Sequence, residues 1–129
     1  MTTINGIINQ ISPYSVTETI DRLVAVLQAK EITIFARIDQ RLEAEKVGLS
    51  LHPTQLLLFG NPKAGTPLMV AEPVIALELP LKVLAWEAAD SSVWLSYNDP
   101  LYLQQRFSLS DELVKNIAVI APLIEQALL

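Results

Sequence analysis

Apolar and polar residues alternate along the chain with two different periods, and the periods divide it into short segments. Around Ile20, Leu23, Val24 and Leu27 the apolar residues recur at i, i+3, i+4 and i+7, the spacing of a helix with one buried face. "SVTE" precedes them as a capping box: Ser15 is at the N-cap and Glu18 three residues on, each satisfying the other's exposed backbone donor. Burying four such side chains contributes roughly 1.5–3 kcal/mol each before conformational entropy is subtracted. "ITIFARI" (Ile32 to Ile38) is β-branched and has a period of two. It predicts a strand with Ile32, Ile34, Ala36 and Ile38 on one face and Thr33, Phe35 and Arg37 on the other. Gly6 to Ile11, "TQLLLF" (Thr54 to Phe59), "LKVLAWE" (Leu81 to Glu87) and "VWLSY" (Val93 to Tyr97) are further strands. "AADSS" joins the last two over a span that suits a hairpin, with Trp86 and Trp94 flanking it.

Between the strands the pattern changes to helix signals. Asp39 caps a short helix through Val47, which Gly48 ends as a left-handed residue. Thr66 reads as an N-cap with Pro67 at N1, opening a helix that stops before Pro73, and "VIALEL" adds a further turn. Asp99 and Pro100 repeat the device. The last helix starts at Ser110 or Asp111 and carries Leu113, Ile117, Ile120, Ile124 and Leu128 at helical spacing, and Pro122 kinks or divides it. The hairpin and the scarcity of long crossovers predict an α+β fold, a two-layer structure with a largely antiparallel sheet and helices on one face. With no repeat, low-complexity tract or linker, residues 1–129 read as a single domain.

Composition narrows what this fold does. The chain has 129 residues, 51% hydrophobic and 18% charged, which is enough for one core with apolar surface to spare for a partner. No apolar run approaches the roughly 18 residues of a membrane span, and the N-terminus lacks the basic and apolar regions of a signal peptide. With no cysteine, a cytoplasmic location without disulfides is expected. The net charge is −5 and no two of the nine basic residues are adjacent, which argues against nucleic acid, whose phosphates need clustered Lys and Arg. One His and no Cys exclude a zinc site of nitrogen and sulfur ligands within one chain, and no loop matches a calcium motif, so no metal or cofactor is expected. No G-x-S-x-G elbow supports a serine hydrolase, and His52, between Leu51 and Pro53, reads as a solvated loop histidine.

Two strand-to-helix junctions hold the remaining chemistry. In "LLLFGNPKAGTPLM", Gly60 and Gly65 set a G-x-x-x-x-G frame like a phosphate loop, but Thr66 stands where that loop needs Lys, and Pro62 and Pro67 remove two donors. A nucleotide triphosphatase is therefore rejected, and what survives is a small anion at the helix N-terminus at Thr66, beside Lys63. Gly60, Pro62, Gly65 and Pro67 are assigned to turn geometry and helix initiation. The second junction is "SYNDP", where capping explains Asp99 but not Tyr97 or Asn98. With both junctions at one end of the sheet, Asn61, Thr66, Tyr97, Asn98 and Asp99 converge on one polar patch. Arg37 and Asp39 are candidates to join it, while Glu87 falls at the opposite end.

"PYSVTETIDRL", "ITIFARID", "HPTQLLLFGNPKAGTPLM", "LPLKVLAWE" and "YNDP", in that order, resemble the bacterial and archaeal domain-of-unknown-function family 302 (DUF302). The resemblance covers about residues 7–106, leaving a C-terminal helix at 110–128. It implies a two-layer α+β fold similar to the TATA-binding-protein-like arrangement, a curved antiparallel sheet of about five strands backed by helices, and brings no established activity. Asn61, Pro62, Gly65, Thr66, Pro67, Met69, Tyr97, Asn98, Asp99 and Pro100 match family-typical residues. Members of the family often carry His after "ARID"; here Gln40 stands there and cannot titrate. Fold alone carries no function.

Three functions are weighed from these residues. The first is a small-ligand-binding or regulatory module whose polar site comprises Arg37, Asp39, Asn61, Lys63, Thr66, Tyr97, Asn98 and Asp99, with a small molecule or anion as partner. The second is a homodimeric interaction module, motivated by the apolar tail "IAVIAPLIEQALL", though a helix packed on the sheet needs the same stripe. The third is an enzyme with Asp39, Glu87 or Asp99 as general base and Lys63 or Lys82 as electrophilic helper.

Overall fold

A computed structural model describes residues 3–129. Five strands form one open antiparallel sheet: β1 (Ile7–Ser12), β2 (Thr33–Asp39), β3 (Thr54–Gly60), β4 (Leu81–Glu87) and β5 (Val93–Asn98), in the spatial order β1-β5-β4-β3-β2. Six α-helices accompany them: α1 (Val16–Ala29), α2 (Gln40–Lys46), α3 (Pro62–Ala71), α4 (Pro100–Phe107), α5 (Asp111–Ala118) and α6 (Ile120–Ala127), with a 3-10 helix at Pro73–Glu78. The α+β class and the antiparallel sheet with helices on one side are as the pattern predicts.

Helix α1 forms where the periodicity places it. Ser15 Oγ accepts from the Glu18 backbone N–H at 3.1 Å, and Ile20, Leu23 and Leu27 are fully buried. They meet Leu57, Phe59, Val83, Ala85, Val93, Leu95 and Tyr97 from the covered face of the sheet, and Ile120, Leu123, Ile124 and Ala127 from α6. The apolar tail is thus core, which removes it as a motive for dimerisation. The terminal helix divides at Val119, three residues before Pro122, whose ring cannot sit against a continuing preceding turn. A second cluster, Leu68, Ile75, Leu103, Leu109 and Ile117, packs α3, the 3-10 helix, α4 and α5 together.

Two local expectations change. Strand β2 does not keep one alternating face. Ile34 pairs with Phe59 but Ala36 pairs with Leu58, a register shift that leaves Phe35 as an extra residue. A bulge of this kind moves the following residues to the other face, so Arg37 shares the helix side with Leu57 while Ala36 and Ile38 face away. Helix α3 starts five residues earlier than the Thr66–Pro67 signal. Asn61 is its N-cap, its side chain accepting from the Lys63 N–H at 2.9 Å, Pro62 is at the start, and Pro67 is inside. Asn61–Pro62 is the same cap-and-proline device as Asp99–Pro100 and lies first along the chain.

Candidate functional site

The register fixes which strand ends share an edge of the molecule. Ile7 pairs with Asn98, Val83 with Tyr97, Phe59 with Leu81 and Thr33 with Gly60, so Gly60, Leu81 and Asn98 stand at one end. Asp39, Gln55, Glu87 and Val93 stand at the other. The junctions at 60–67 and 96–100 therefore lie at one end, and Glu87 at the opposite one. Arg37 and Asp39 are with Glu87, away from both junctions.

Each of the eight candidate residues has a definable neighbourhood. Arg37 ties β2 to α1: Nε donates to Gln55 Oε1 at 2.9 Å, and one Nη donates to Asp21 Oδ1 at 2.7 Å. The carboxylates of Asp39 and Asp99 cap α2 and α4 through the Leu42 and Leu101 N–H groups, each at 3.0 Å. Lys63 lies in the first turn of α3 and Thr66 in its interior. Tyr97 is buried on the covered face, where burial and the nearby Asp99 charge push its phenol above its ordinary pKa. Asn98 Nδ2 donates to Glu78 Oε2 at 3.1 Å. His52 is exposed, its Nδ1 3.9 Å from Glu87.

Neither core cluster includes a residue from the opposite face of the sheet. That face carries Ile7, Asn9 and Ile11 from β1, Trp94, Ser96 and Asn98 from β5, Lys82, Leu84 and Trp86 from β4, and Leu56 and Leu58 from β3. A groove of about 690 Å3 runs over it, with Leu56, Leu84, Ile7 and Trp86 as apolar floor. A polar chain crosses the floor: Trp86 Nε1 donates to Ser96 Oγ at 2.8 Å, and that hydroxyl donates to Asn9 Oδ1. At the junction end the groove meets Glu78, Lys82 and Asn98. Arg106 Nη1 donates to Glu78 Oε1 at 3.1 Å, and Lys82 Nζ is 3.6 Å from Glu78 Oε2. Two cations share one carboxylate at this end of the groove.

The two junctions border separate hollows. Asn98 lines the groove, whereas Asn61 and Thr66 line a smaller cavity of about 240 Å3 beyond β3, and the chain from Leu79 to Lys82 runs between them. Reading the junctions alone misses Asn9, Glu78, Trp86 and Arg106. The signal for the strand residues is the period of two across the hairpin, which sets Lys82, Leu84 and Trp86 on one face with Trp94, Ser96 and Asn98. Glu78 and Arg106 have no such signal, since only tertiary packing brings residues 28 apart together.

Comparison with known proteins follows the same outline. Three curated Brucella proteins are each 44% identical to this chain over 105 residues, or 81% of it. They are "Fluoride-specific ion channel FluC 1" of Brucella suis, the protein of that name in Brucella abortus, and "Fluoride-specific ion channel FluC 2" of Brucella melitensis. The matched segment is 41% of the first and 39% of the other two, so the chain spans about two-fifths of the curated relatives it matches. Among the described residues no helix is long and apolar enough to cross a membrane. A crystal structure of an uncharacterised conserved DUF302 protein from Bacillus stearothermophilus shares the fold with a TM-score of 0.78, covering 97% of both chains at 17% identity. The model of a domain of unknown function, DUF302, matches residues 8–127, from the first strand through the last helix, and the chain belongs to that family.

Proposed function

We propose that this domain binds a small amphipathic molecule carrying an anionic group, in the groove on the uncovered face of the sheet. The observation that carries the reading is the groove itself: an apolar floor of about 690 Å3 that ends at a carboxylate shared by Lys82 and Arg106. Small-molecule sites are concave, mostly apolar and closed by a few placed polar groups. The apolar body of the ligand lies on Leu84, Leu56 and Trp86, and its anion pairs with Lys82, whose partner Glu78 keeps Arg106 and Asn98. Aromatic and short-chain carboxylates are the class to screen by thermal shift. A ligand at a hundred times its Kd adds about 2.7 kcal/mol to the native state and raises the melting temperature. The shift is expected to shrink in Lys82→Gln and vanish in Leu84→Glu, which places a carboxylate on the floor. No shift across the class, or equal shifts in both variants, overturns the reading.

In the Brucella proteins the matched segment is under half of a longer chain named as a fluoride-specific ion channel. We assign the corresponding domain a regulatory role beside the remainder of such a chain; among the described residues of this chain no helix is long and apolar enough to cross a membrane.

A homodimer is a second reading, favoured by α2 and the loop after it. Helix α2 has no buried residue, and Leu42, Val47, Leu49 and Leu51 are all exposed. Exposed apolar surface of this kind marks contact sites. Sedimentation equilibrium is expected to show a dimer that Val47→Glu dissociates, and a monomer at all concentrations refutes this reading.

A further inference from the structure

We propose that the 240 Å3 cavity between the end of β3, α3 and α5 is a second, separate site, for a neutral and largely apolar molecule of one ring or a fused bicycle. Its walls are Phe35, Met69, Leu79, Pro80, Leu81 and Ile117, with Gly60 and Gly65 between them. An apolar cavity of about 150 Å3 already holds benzene, so this one takes a phenol or an indole.

Two independent observations point to an occupant. The first concerns the glycines. Neither Gly60 nor Gly65 has a positive φ, unlike Gly6 and Gly48. A Cβ at Gly60 meets nothing nearer than Phe35 at 3.6 Å and Pro80 at 3.7 Å; at Gly65 it meets Leu79 at 3.7 Å and Met69 at 3.9 Å. These are ordinary contacts, so neither the backbone nor the packing demands glycine. Turn geometry therefore does not explain the pair, and Gly65 weakens the interior of the helix it occupies. What the two share is direction: every side-chain neighbour of either Cβ is a wall of this cavity, so any longer side chain would grow into it.

The second observation is the polarity of the lining. No charged residue borders the cavity, and its polar members are Asn61, Thr66 and Asn116. Asn61 Oδ1 accepts from the Lys63 N–H and Asn116 Nδ2 donates to the Ala64 carbonyl at 3.0 Å. The other half of each amide and the Thr66 hydroxyl remain to bind a ligand's single polar group. A charged ligand would find no countercharge in this lining. The groove proposed above selects the opposite, an anion, so the two sites are separable by ligand charge.

The test is a titration of the full chain with phenol and with indole, followed by amide chemical shifts, with benzoate as the charged control. Saturable shifts are expected at the amides of Gly60, Gly65 and Thr66, with benzoate at least tenfold weaker at those amides. Gly65→Leu is expected to abolish them while the rest of the spectrum keeps its dispersion. Gly60→Val reaches the same space from the strand side, so a folding failure of one variant leaves the other. Thr66→Val is expected to weaken phenol several-fold and leave benzene unchanged. Absence of saturable shifts at these amides, full binding in either filled variant, or benzoate binding there as well as phenol overturns the proposal. Lys82→Gln leaves this site intact whichever way the groove experiment falls.

Discussion

Replacing Gly6 by alanine tests how the start of the sheet is held against α4. Gly6 has φ +81°, and its carbonyl accepts from the Asp99 N–H at 2.8 Å, joining the first strand to the 96–100 junction. A methyl on its Cα would fall 2.5, 2.6 and 2.7 Å from three ring carbons of Tyr102. The left-handed backbone costs an alanine about 1–2 kcal/mol, and forcing a carbon into a packed ring adds about 1–3 kcal/mol. The sum, about 2–5 kcal/mol, is a large share of the roughly 5–15 kcal/mol that holds a domain together. Urea denaturation is the assay: the midpoint is expected to fall with the slope unchanged. The two causes separate in a Tyr102→Ala background, where only the backbone cost of about 1–2 kcal/mol should remain. A loss below about 0.5 kcal/mol, within the range of an ordinary surface substitution, refutes the reasoning. So does an equal loss in both backgrounds.

Gly65→Ala is expected to do the reverse and stabilise the fold by about 0.5–1 kcal/mol, because it removes a flexible residue from a helix where a methyl has room; a loss of stability in the same urea assay contradicts this. Leu57→Ala is expected to cost about 2.7–5 kcal/mol, since Leu57 is fully buried under α1, whereas Leu84→Ala on the uncovered face should cost clearly less. The Tyr97 phenol has a raised folded pKa, so its neutral form is favoured in the native state and its contribution is complete below pH 10. That contribution is lost as pH rises through the folded value, because the unfolded chain releases its proton first. Wild type should therefore lose stability more steeply than Tyr97→Phe above pH 10, and parallel curves contradict the assignment.

The local elements of this protein were legible in its sequence because each has a local cause. Ser15, Asp39 and Asp99 announce helix starts by satisfying backbone donors a few residues on, and all three side chains accept the expected N–H groups. Period-two segments became strands for the same reason, since one face of each had a core to meet. The candidate site was legible in part. The junctions at 60–67 and 96–100 do share one end of the sheet, because β3 and β5 run the same way on either side of β4. Arg37 and Asp39 were misplaced with them because strand direction is not written in a strand's own residues.

What the tertiary structure alone decided is the set of contacts between distant residues. The bulge at Phe35 moves Arg37 to the covered face, where it bonds Asp21 and Gln55 rather than the junctions. Glu78, Asn98 and Arg106 meet only once the 3-10 helix and α4 have packed at the end of the groove. Gly60 and Gly65 read in sequence as turn punctuation, yet their meaning lies in the cavity between them, which exists only when α3 and α5 close over the end of β3. Periodicity and capping act over a few residues and are carried by the sequence itself. A groove or a cavity is the space left between elements, so its shape depends on how they pack.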